Sequence, residues 1–142
     1  MRKNWLVAIL AAAGFAAAIP ARAELVVIVA AKNPTTSLTK EQAAQLFLGK
    51  SATFPGGGTA TPLDLAEGAA TRDEFYAKVT EKNAGQLKAY WAKQMFSGKA
   101  SPPREIASAA EMKKAVAADA TAVGYIDKAS LDATVRAVLT VQ

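Results

Sequence analysis

The residues best suited to chemistry lie in one short segment, residues 67–72 (EGAATR), between a predicted strand and a predicted helix. Backbone amides at the start of a helix have no intrahelical acceptor and carry partial positive charge, so they can bind phosphate, sulfate or a carboxylate. Thr71 would add a hydroxyl donor, and Arg72 a planar cation suited to an oxyanion. We therefore predict a ligand site formed by Gly68, Ala69, Ala70, Thr71 and Arg72.

The same segment has an ordinary structural interpretation. Glu67 and Asp73 are the acidic residues that favour the first turn of a helix, and Thr71 could cap that helix. Arg72 would then lie on the surface. The spacing alone does not decide between a binding site and a simple helix start, and nothing in the sequence singles out a pair of carboxylates for acid and base catalysis.

Two absences in the composition exclude several classes of site. The sequence contains no cysteine and no histidine. Disulfides, the usual zinc sites and nucleophilic sites that depend on an imidazole are therefore excluded. We expect a protein that is not an enzyme and that has no cofactor or metal.

The N-terminus has the pattern of a cleavable export signal. Two basic residues precede an apolar run over residues 5–19, and an Ala-Arg-Ala triplet ends before Glu24. The apolar run is shorter than the roughly 20 residues that cross a membrane. We expect residues 1–23 to be removed and residues 24–142 to form a single domain in the periplasm.

Charge argues against a nucleic-acid partner. Three basic residues lie in the predicted signal, so residues 24–142 keep 14 basic and 12 acidic residues, with the two signs interleaved. A nucleic-acid surface would show a basic block or a basic and aromatic stripe. We therefore expect no nucleic-acid binding.

The hydrophobic pattern predicts an α/β fold with a mixed sheet flanked by helices. Residues 25–30 (LVVIVA) are a continuous apolar run, typical of a strand buried on both faces. Capping-box spacing marks three helix starts: Thr39 with Gln42, Asn83 with Gln86, and Ser108 with Glu111. The predicted order is strand 25–30, helix 40–48, strand 59–65, helix 70–80, a helix after residue 83, a loop at 98–103, a helix to 118, and strands 122–126 and 134–141.

Helical and strand spacing also predict where several large side chains lie. We expect one stripe of the helix after residue 83 to be buried in the core, and a lysine pair in the following helix to face solvent. Tyr125 is expected in the core, because aromatic residues in a closing strand usually fill it. The predicted stripe consists of Leu87, Tyr90, Trp91 and Met95, and the lysine pair of Lys113 and Lys114.

Several segments resemble phosphate ABC-transporter substrate-binding proteins. The stretch AAKNPTTSLTKEQAAQLFLGK followed by FPGG resembles the opening of their second domain, in which an Asn-Pro turn, a helix ending in FLGK and a Trp-Pro-Asp-Gly-like turn recur. Phe54 stands where tryptophan is usual. The segments EGAATRDEF, YWAKQMFSGK and AVGYID resemble the same family in the same order, so the resemblance covers nearly all of residues 25–141.

This resemblance implies a single-lobe, periplasmic-binding-protein-like (type II) domain. In full-length relatives two lobes close on the anion, and this chain keeps the equivalent of one. Their phosphate loop resembles Arg-x-Asp-Gly-Ser-Gly-Thr, which corresponds to residues 65–71 here. Leu65 stands in place of the arginine, and alanines replace the serine and one glycine, whereas Gly68 and Thr71 are kept. The resemblance thus implies a weakened site in which Arg72 supplies the lost charge.

Two functions remain open from the sequence. The first is a periplasmic solute-binding-protein-like domain that binds phosphate or a similar oxyanion weakly, in connection with ABC-type uptake. The alternative is a non-enzymatic periplasmic sensor or protein-interaction module that has lost small-molecule binding. The partners left open are a membrane transporter, another periplasmic protein, and a second copy of the chain in a homodimer.

Overall fold

The computed structural model describes residues 24–142, so the predicted export signal at residues 1–23 lies outside the described residues. No helix within residues 24–142 has the length and apolar character needed to cross a membrane. The elements are β1 (Leu25–Ala30), α1 (Lys40–Phe47), β2 (Thr61–Leu65), α2 (Ala70–Thr80), α3 (Ala84–Phe96), β3 (Arg104–Ile106), α4 (Ala109–Ala118), β4 (Ala122–Asp127), a short 3₁₀ helix (Lys128–Ser130) and β5 (Val135–Val141).

The five strands form one mixed sheet in the order β3-β2-β4-β1-β5. Strand β2 runs parallel to both β3 and β4, whereas β1 runs antiparallel to β4 and β5. All six residues of β1 are buried, as the apolar run predicts. The predicted α/β class and its mixed sheet flanked by helices are confirmed.

The helix starts follow the capping signals in the sequence. Thr39 accepts a hydrogen bond from the Gln42 amide at 3.1 Å, and the Gln42 side chain accepts one from the Thr39 amide at 2.8 Å. Asn83 and Gln86 form the same reciprocal pair at the start of α3. At α4 half of the predicted box is present, because Ser108 accepts from the Glu111 amide and no reciprocal bond is formed.

Three predictions were wrong in detail. The sequence analysis missed β3, which is three residues long and follows two prolines, so that pairing with β2 defines it rather than any local pattern. Met95 is 54% exposed rather than buried, since it lies in the last turn of α3, where the neighbouring Phe96 is exposed as well. Lys113 forms an ion pair with Asp132 at 3.0 Å instead of facing solvent alone.

The core is centred on aromatic side chains that join the helices to the sheet. Phe75 of α2 stacks on Tyr125 of β4 with ring centroids 3.9 Å apart, and Phe47 of α1 meets Phe75 edge-on at 4.8 Å. All three rings are fully buried. Stacked and edge-on aromatic pairs add to the stability gained by burial, and here they fix α2 against the sheet.

Gly124 lets α4 approach the sheet closely. A Cβ atom at this position of β4 would lie 2.6 Å from Sδ of Met112 and 3.1 Å from Cγ2 of Val116. Both side chains are fully buried. The absence of a side chain at Gly124 therefore sets the distance between α4 and β4.

Candidate anion-binding site

The predicted site lies in the turn that joins β2 to α2. Strand β2 ends at Leu65, and the Ala69 amide donates to the Ala66 carbonyl at 3.1 Å to close the turn. Gly68 has a φ of +91°, a conformation that glycine adopts without strain. Glu67, Gly68 and Ala70 are exposed, so the turn faces solvent.

The first amides of α2 are free donors. Ala69 occupies the N-cap position with φ −68° and ψ 127°, and it offers no side-chain acceptor. The helical ladder starts with the bond from the Asp73 amide to the Ala69 carbonyl, at 3.1 Å. Among the described residues, none accepts a hydrogen bond from the amides of Ala70, Thr71 or Arg72. The idea that Thr71 caps the helix is therefore wrong, and three amides remain available at the helix start.

Arg72 is buried rather than spread over the surface. It is 8% exposed, and its Nε donates to Oδ2 of Asp64 at 3.2 Å. Within residues 24–142 its two terminal nitrogens make no hydrogen bond. Burial alone would lower the pKa of Arg72, but the charge of Asp64 and the hydrogen bond outweigh burial and raise it. The guanidinium is thus charged and held against Asp64, and its two terminal nitrogens remain free donors among the described residues.

Asp64 is the centre of a buried polar cluster that holds Arg72. Its carboxylate accepts from the hydroxyl of Tyr76 at 2.8 Å, from the hydroxyl of Tyr125 at 2.5 Å and from the Leu65 amide at 2.8 Å, in addition to Arg72. Asp64 is 2% exposed. A buried carboxylate needs such a set of donors, because water cannot solvate it. We call Asp64, Arg72, Tyr76 and Tyr125 the Asp64 cluster.

The two tyrosines of the Asp64 cluster stay protonated to pH values well above the ordinary pKa of tyrosine. Burial raises the pKa of Tyr76, and the negative charge of Asp64 raises it further. The same two causes, in the same order, raise the pKa of Tyr125. Both hydroxyls therefore remain hydrogen-bond donors to Asp64 over the physiological pH range.

Sequence reasoning missed Asp64 and placed Tyr125 in the core without its polar role. One pattern could have found the cluster. Asp64 is the single charged residue in the strand TPLDL, and Arg72 and Tyr76 are spaced four apart on the following helix. An aspartate in a buried strand demands donors, and residues at this helical spacing lie on one face.

The five predicted site residues are contiguous at the start of α2, where Gly68 and Ala70 are exposed, Ala69 and Thr71 are half-buried and Arg72 is buried. Gly68 shapes the turn, Ala69 precedes the helix, and Ala70, Thr71 and Arg72 supply free amides. The hydroxyl of Thr71 makes no hydrogen bond within the part of the chain that the structure describes. Within residues 24–142, no three acidic, cysteine or histidine side chains lie close enough together to hold a metal ion.

Solved structures of other proteins share this fold. A phosphate ABC transporter substrate-binding protein from Clostridium perfringens, solved with bound phosphate, matches 82% of the chain at 24% identity with a TM-score of 0.65. An ABC-type phosphate transport receptor from Vibrio cholerae matches 82% at 21% identity with a TM-score of 0.65. PstS from Borrelia burgdorferi matches 80% at 12% identity with a TM-score of 0.60. This chain has the fold of phosphate-transport binding proteins.

The likeness confirms the resemblance predicted from the sequence and the single-lobe, type II α/β class. The chain spans 45% of the Clostridium protein and 46% of each of the other two, less than half of their lengths. At these identities the likeness concerns the fold, and these structural neighbours are transport proteins rather than enzymes. Neither a family model nor a curated protein sequence matches the chain.

Proposed function

We propose that this chain is a periplasmic solute-binding-protein-like domain that binds phosphate or a similar oxyanion weakly, in connection with ABC-type uptake. The site consists of Gly68, Ala69, Ala70, Thr71 and Arg72. The observation that carries the proposal is that Arg72, held by the Asp64 cluster, keeps two terminal nitrogens without partners among the described residues and belongs to the first turn of α2, whose first three amides are free. Helix starts bind anions through such amides, and a guanidinium adds charge-assisted bonds.

The residues that replace those of the family's phosphate loop set the expected strength of anion binding. Relative to the loop that the family resemblance implies, an arginine and a serine hydroxyl are missing at Leu65 and Ala69. Each charge-assisted hydrogen bond contributes about 1.5 to 3 kcal/mol. Two lost bonds weaken binding by roughly two to four orders of magnitude. The exposed turn also leaves the anion in contact with water.

Isothermal titration with phosphate, sulfate and acetate tests the proposal, and Ala70→Pro is the informative variant. Proline is well tolerated at the first position of a helix, and the extended backbone of Ala69 suits a following proline. The variant therefore keeps α2 and removes one of the three amides. We expect it to weaken phosphate binding about 10 to 100-fold.

A matched control is Ala84→Pro, which makes the same change at the exposed first position of α3. This variant should bind phosphate like the unmodified protein. Absence of heat with every anion at about 10 mM, or equal affinity in the Ala70→Pro and Ala84→Pro variants, would refute the proposed site.

A second function, a sensor or interaction module without a small ligand, is favoured by the surface around α3. Phe96 is 96% exposed and Met95 is 54% exposed. Residues 82–104 contain five basic residues and no acidic residue: Lys82, Lys88, Lys93, Lys99 and Arg104. An exposed aromatic residue amid one sign of charge is typical of a protein contact surface with an acidic partner.

Affinity capture from periplasmic extract distinguishes the two functions. An interaction module should retain a specific partner in the Ala70→Pro variant and lose it in a Phe96→Ser variant. Loss of the partner in neither variant would argue against a partner bound through α3.

A further inference from the structure

Helix α3 packs on the domain through one stripe of side chains. Leu87 and Trp91 are buried, and Tyr90 and Gln94 are half-buried. The remaining residues of the helix are exposed. The outward side of a surface helix normally carries polar and charged residues. On α3 this side also carries apolar residues, and they lie open to solvent.

Four exposed residues form a straight row along the outward side. Gly85, Ala89, Ala92 and Phe96 follow one another at intervals of four, three and four residues, so at about 3.6 residues per turn they lie on one line. With about 1.5 Å per residue, the row is about 16 Å long. It ends in Phe96, which is 96% exposed, and the preceding Met95 is 54% exposed. We call Gly85, Ala89, Ala92 and Phe96 the α3 row.

Phe96 projects from a well-formed helix end. The Gly98 amide donates to the Met95 carbonyl at 3.1 Å, and the Lys99 amide donates to the Gln94 carbonyl at 3.0 Å. Gly98 has a φ of +69°, the left-handed conformation that commonly ends a helix. These bonds fix the backbone around Phe96. The exposure of its ring is therefore a property of the folded helix.

The inward side of α3 is held against α1 and the residues that follow it. The Tyr90 hydroxyl donates to the carbonyl of Leu48, the C-cap of α1, at 2.6 Å. A Cβ atom at Gly49 would lie 3.4 Å from Cη2 of Trp91, so the indole packs closely on this backbone. A surface that is ordered before binding loses little conformational entropy when it binds. The α3 row is thus preformed.

Lysines flank the α3 row on both sides. At helical spacing Lys88 and Lys93 lie on opposite sides of the row, and Lys99 follows the end of the helix. Lys88 is 3.9 Å from Glu67 with both side chains largely exposed, which makes a weak pair. Lys93 and Lys99 form no ion pair within residues 24–142. Residues 82–104 contain no acidic residue, so the charge along the row is positive.

We propose that the α3 row binds an acidic amphipathic helix of a partner protein. This inference rests on the second function proposed above, the interaction module, and names the class of its partner. The small residues of the row let another helix approach closely, and Phe96 packs against the apolar stripe of that helix. Lys88 and Lys93 pair with carboxylates on the two flanks of the stripe.

Shape and charge select this occupant over the alternatives. A straight apolar row between two lines of positive charge is the counterpart of an acidic amphipathic helix that lies along α3. An extended strand would need an exposed sheet edge for its backbone hydrogen bonds, which a helix does not offer. A second copy of this chain would bring its own lysines against those of the first. A membrane would gain little, because Phe96 is the one residue of the row with a large side chain to insert.

Fluorescence anisotropy with labelled peptides tests the proposal. The probe is a synthetic peptide of about 18 residues in which leucines form one helical stripe and glutamates flank it. Its counterpart has lysine in place of each glutamate. We expect the protein to bind the acidic peptide with a dissociation constant of roughly 10 to 100 µM, and the basic peptide at least about tenfold more weakly. Added salt should weaken binding of the acidic peptide, because salt screens the charge pairs.

Three variants at exposed side chains complete the experiment. Phe96→Ser should weaken binding of the acidic peptide at least about tenfold, and Lys93→Gln about threefold. Lys114→Gln is the matched control for charge, since Lys114 is exposed on α4 and takes part in no ion pair of the described residues. This variant should bind the acidic peptide normally.

Several outcomes would overturn the proposal. They are no binding of the acidic peptide at about 1 mM, equal affinities for the two peptides, and equal affinities of the Phe96→Ser and Lys114→Gln variants. A dimer in sedimentation that Phe96→Ser abolishes would assign the row to a second copy instead. Tighter binding to phosphatidylglycerol vesicles than to the acidic peptide would assign it to a membrane instead.

Failure of this inference can be told apart from failure of the proposed functions. If the acidic peptide does not bind but a partner that depends on Phe96 is captured from periplasmic extract, the interaction function stands and the helix partner is wrong. Ala70→Pro lies on α2 and should leave peptide binding unchanged. The result is therefore independent of the anion site.

Discussion

At Asp64 a single carboxylate collects donors from a strand, a helix and a second strand. Arg72 and Tyr76 donate to it from α2, and Tyr125 donates to it from β4; all three side chains are buried. The cluster keeps Arg72 charged and holds it against Asp64. In the proposed function the cluster positions Arg72. The contribution of a tyrosine hydroxyl to the free energy of unfolding can be measured by replacing that tyrosine with phenylalanine.

We expect the Tyr76→Phe variant to lose more stability than the Tyr90→Phe variant. The first removes a hydrogen bond to a charged acceptor, worth about 1.5 to 3 kcal/mol, and the second a bond to the neutral Leu48 carbonyl, worth about 0.5 to 1.5 kcal/mol. Urea unfolding of both variants measures the difference. Equal losses would mean that the bond to Asp64 has no special strength.

Alkaline pH should destabilise the protein through Tyr76 and Tyr125. Their folded pKa values lie above the unfolded value of about 10, so this stabilisation is complete below pH 10. Above pH 10 the unfolded chain releases protons that the folded chain keeps. The free energy of unfolding then falls by about 1.4 kcal/mol per pH unit for each tyrosine. Urea unfolding between pH 9 and about 11 should show this slope, and Tyr76→Phe should make it shallower by about 1.4 kcal/mol per pH unit. An unchanged slope would contradict the assignment.

At the scale of elements, α2 differs from the other helices at its start. Thr39, Asn83 and Ser108 cap α1, α3 and α4 with their side chains, whereas Ala69 leaves the amides of α2 free. A side chain that capped α2 would stabilise it and would occupy the donors of the proposed site. Stability and anion binding therefore compete at Ala69.

We expect Ala69→Asp to raise the free energy of unfolding by about 1 kcal/mol and to abolish detectable phosphate binding. An aspartate at the N-cap accepts from the free amides, and its charge suits the helix start. The same carboxylate excludes and repels an anion. Ala69→Asn, which caps without charge, is the control and should weaken binding less. Thermal unfolding and titration measure both effects, and a stabilised Ala69→Asp variant with normal affinity would place the anion elsewhere.

Local signals predicted most elements, because caps and apolar runs act within a few residues. Thr39 with Gln42, Asn83 with Gln86, and residues 25–30 are examples that the structure confirms. Strand β3 and the exposure of Met95 were beyond local reasoning, since each depends on what lies beside the element in space. Tyr125 was missed as a partner of Asp64 for the same reason, because the two residues are 61 positions apart in the sequence. The spacing of Asp64, Arg72 and Tyr76 is local, and it could have been recognised.

At the scale of the whole molecule, the first strand of the chain forms hydrogen bonds with the last strand. Strand β1 pairs with β4 on one side and β5 on the other, so residues near position 25 meet residues near position 141. Val135, Val138 and Val141 of β5 are buried in the common core. The sheet therefore closes late along the chain, and its stability depends on the C-terminal strand.

A chain that stops at Thr134 should lose cooperative unfolding. Removal of residues 135–142 takes three buried valines from the core and leaves one edge of β1 without hydrogen-bond partners. Thermal melting followed by circular dichroism should show no sharp transition. A chain that lacks only the exposed Gln142 is the control and should melt normally. A sharp transition in the shorter chain would show that β5 is dispensable.

The missing side chain at Gly124 has a mechanical consequence. Because a Cβ atom at position 124 would overlap the Met112 side chain and crowd Val116, α4 and β4 pack in direct contact. Strand β4 carries Tyr125, which holds Asp64. A side chain added at Gly124 would have to move α4 or β4, and a shift of β4 would displace Tyr125 and the carboxylate that orients Arg72.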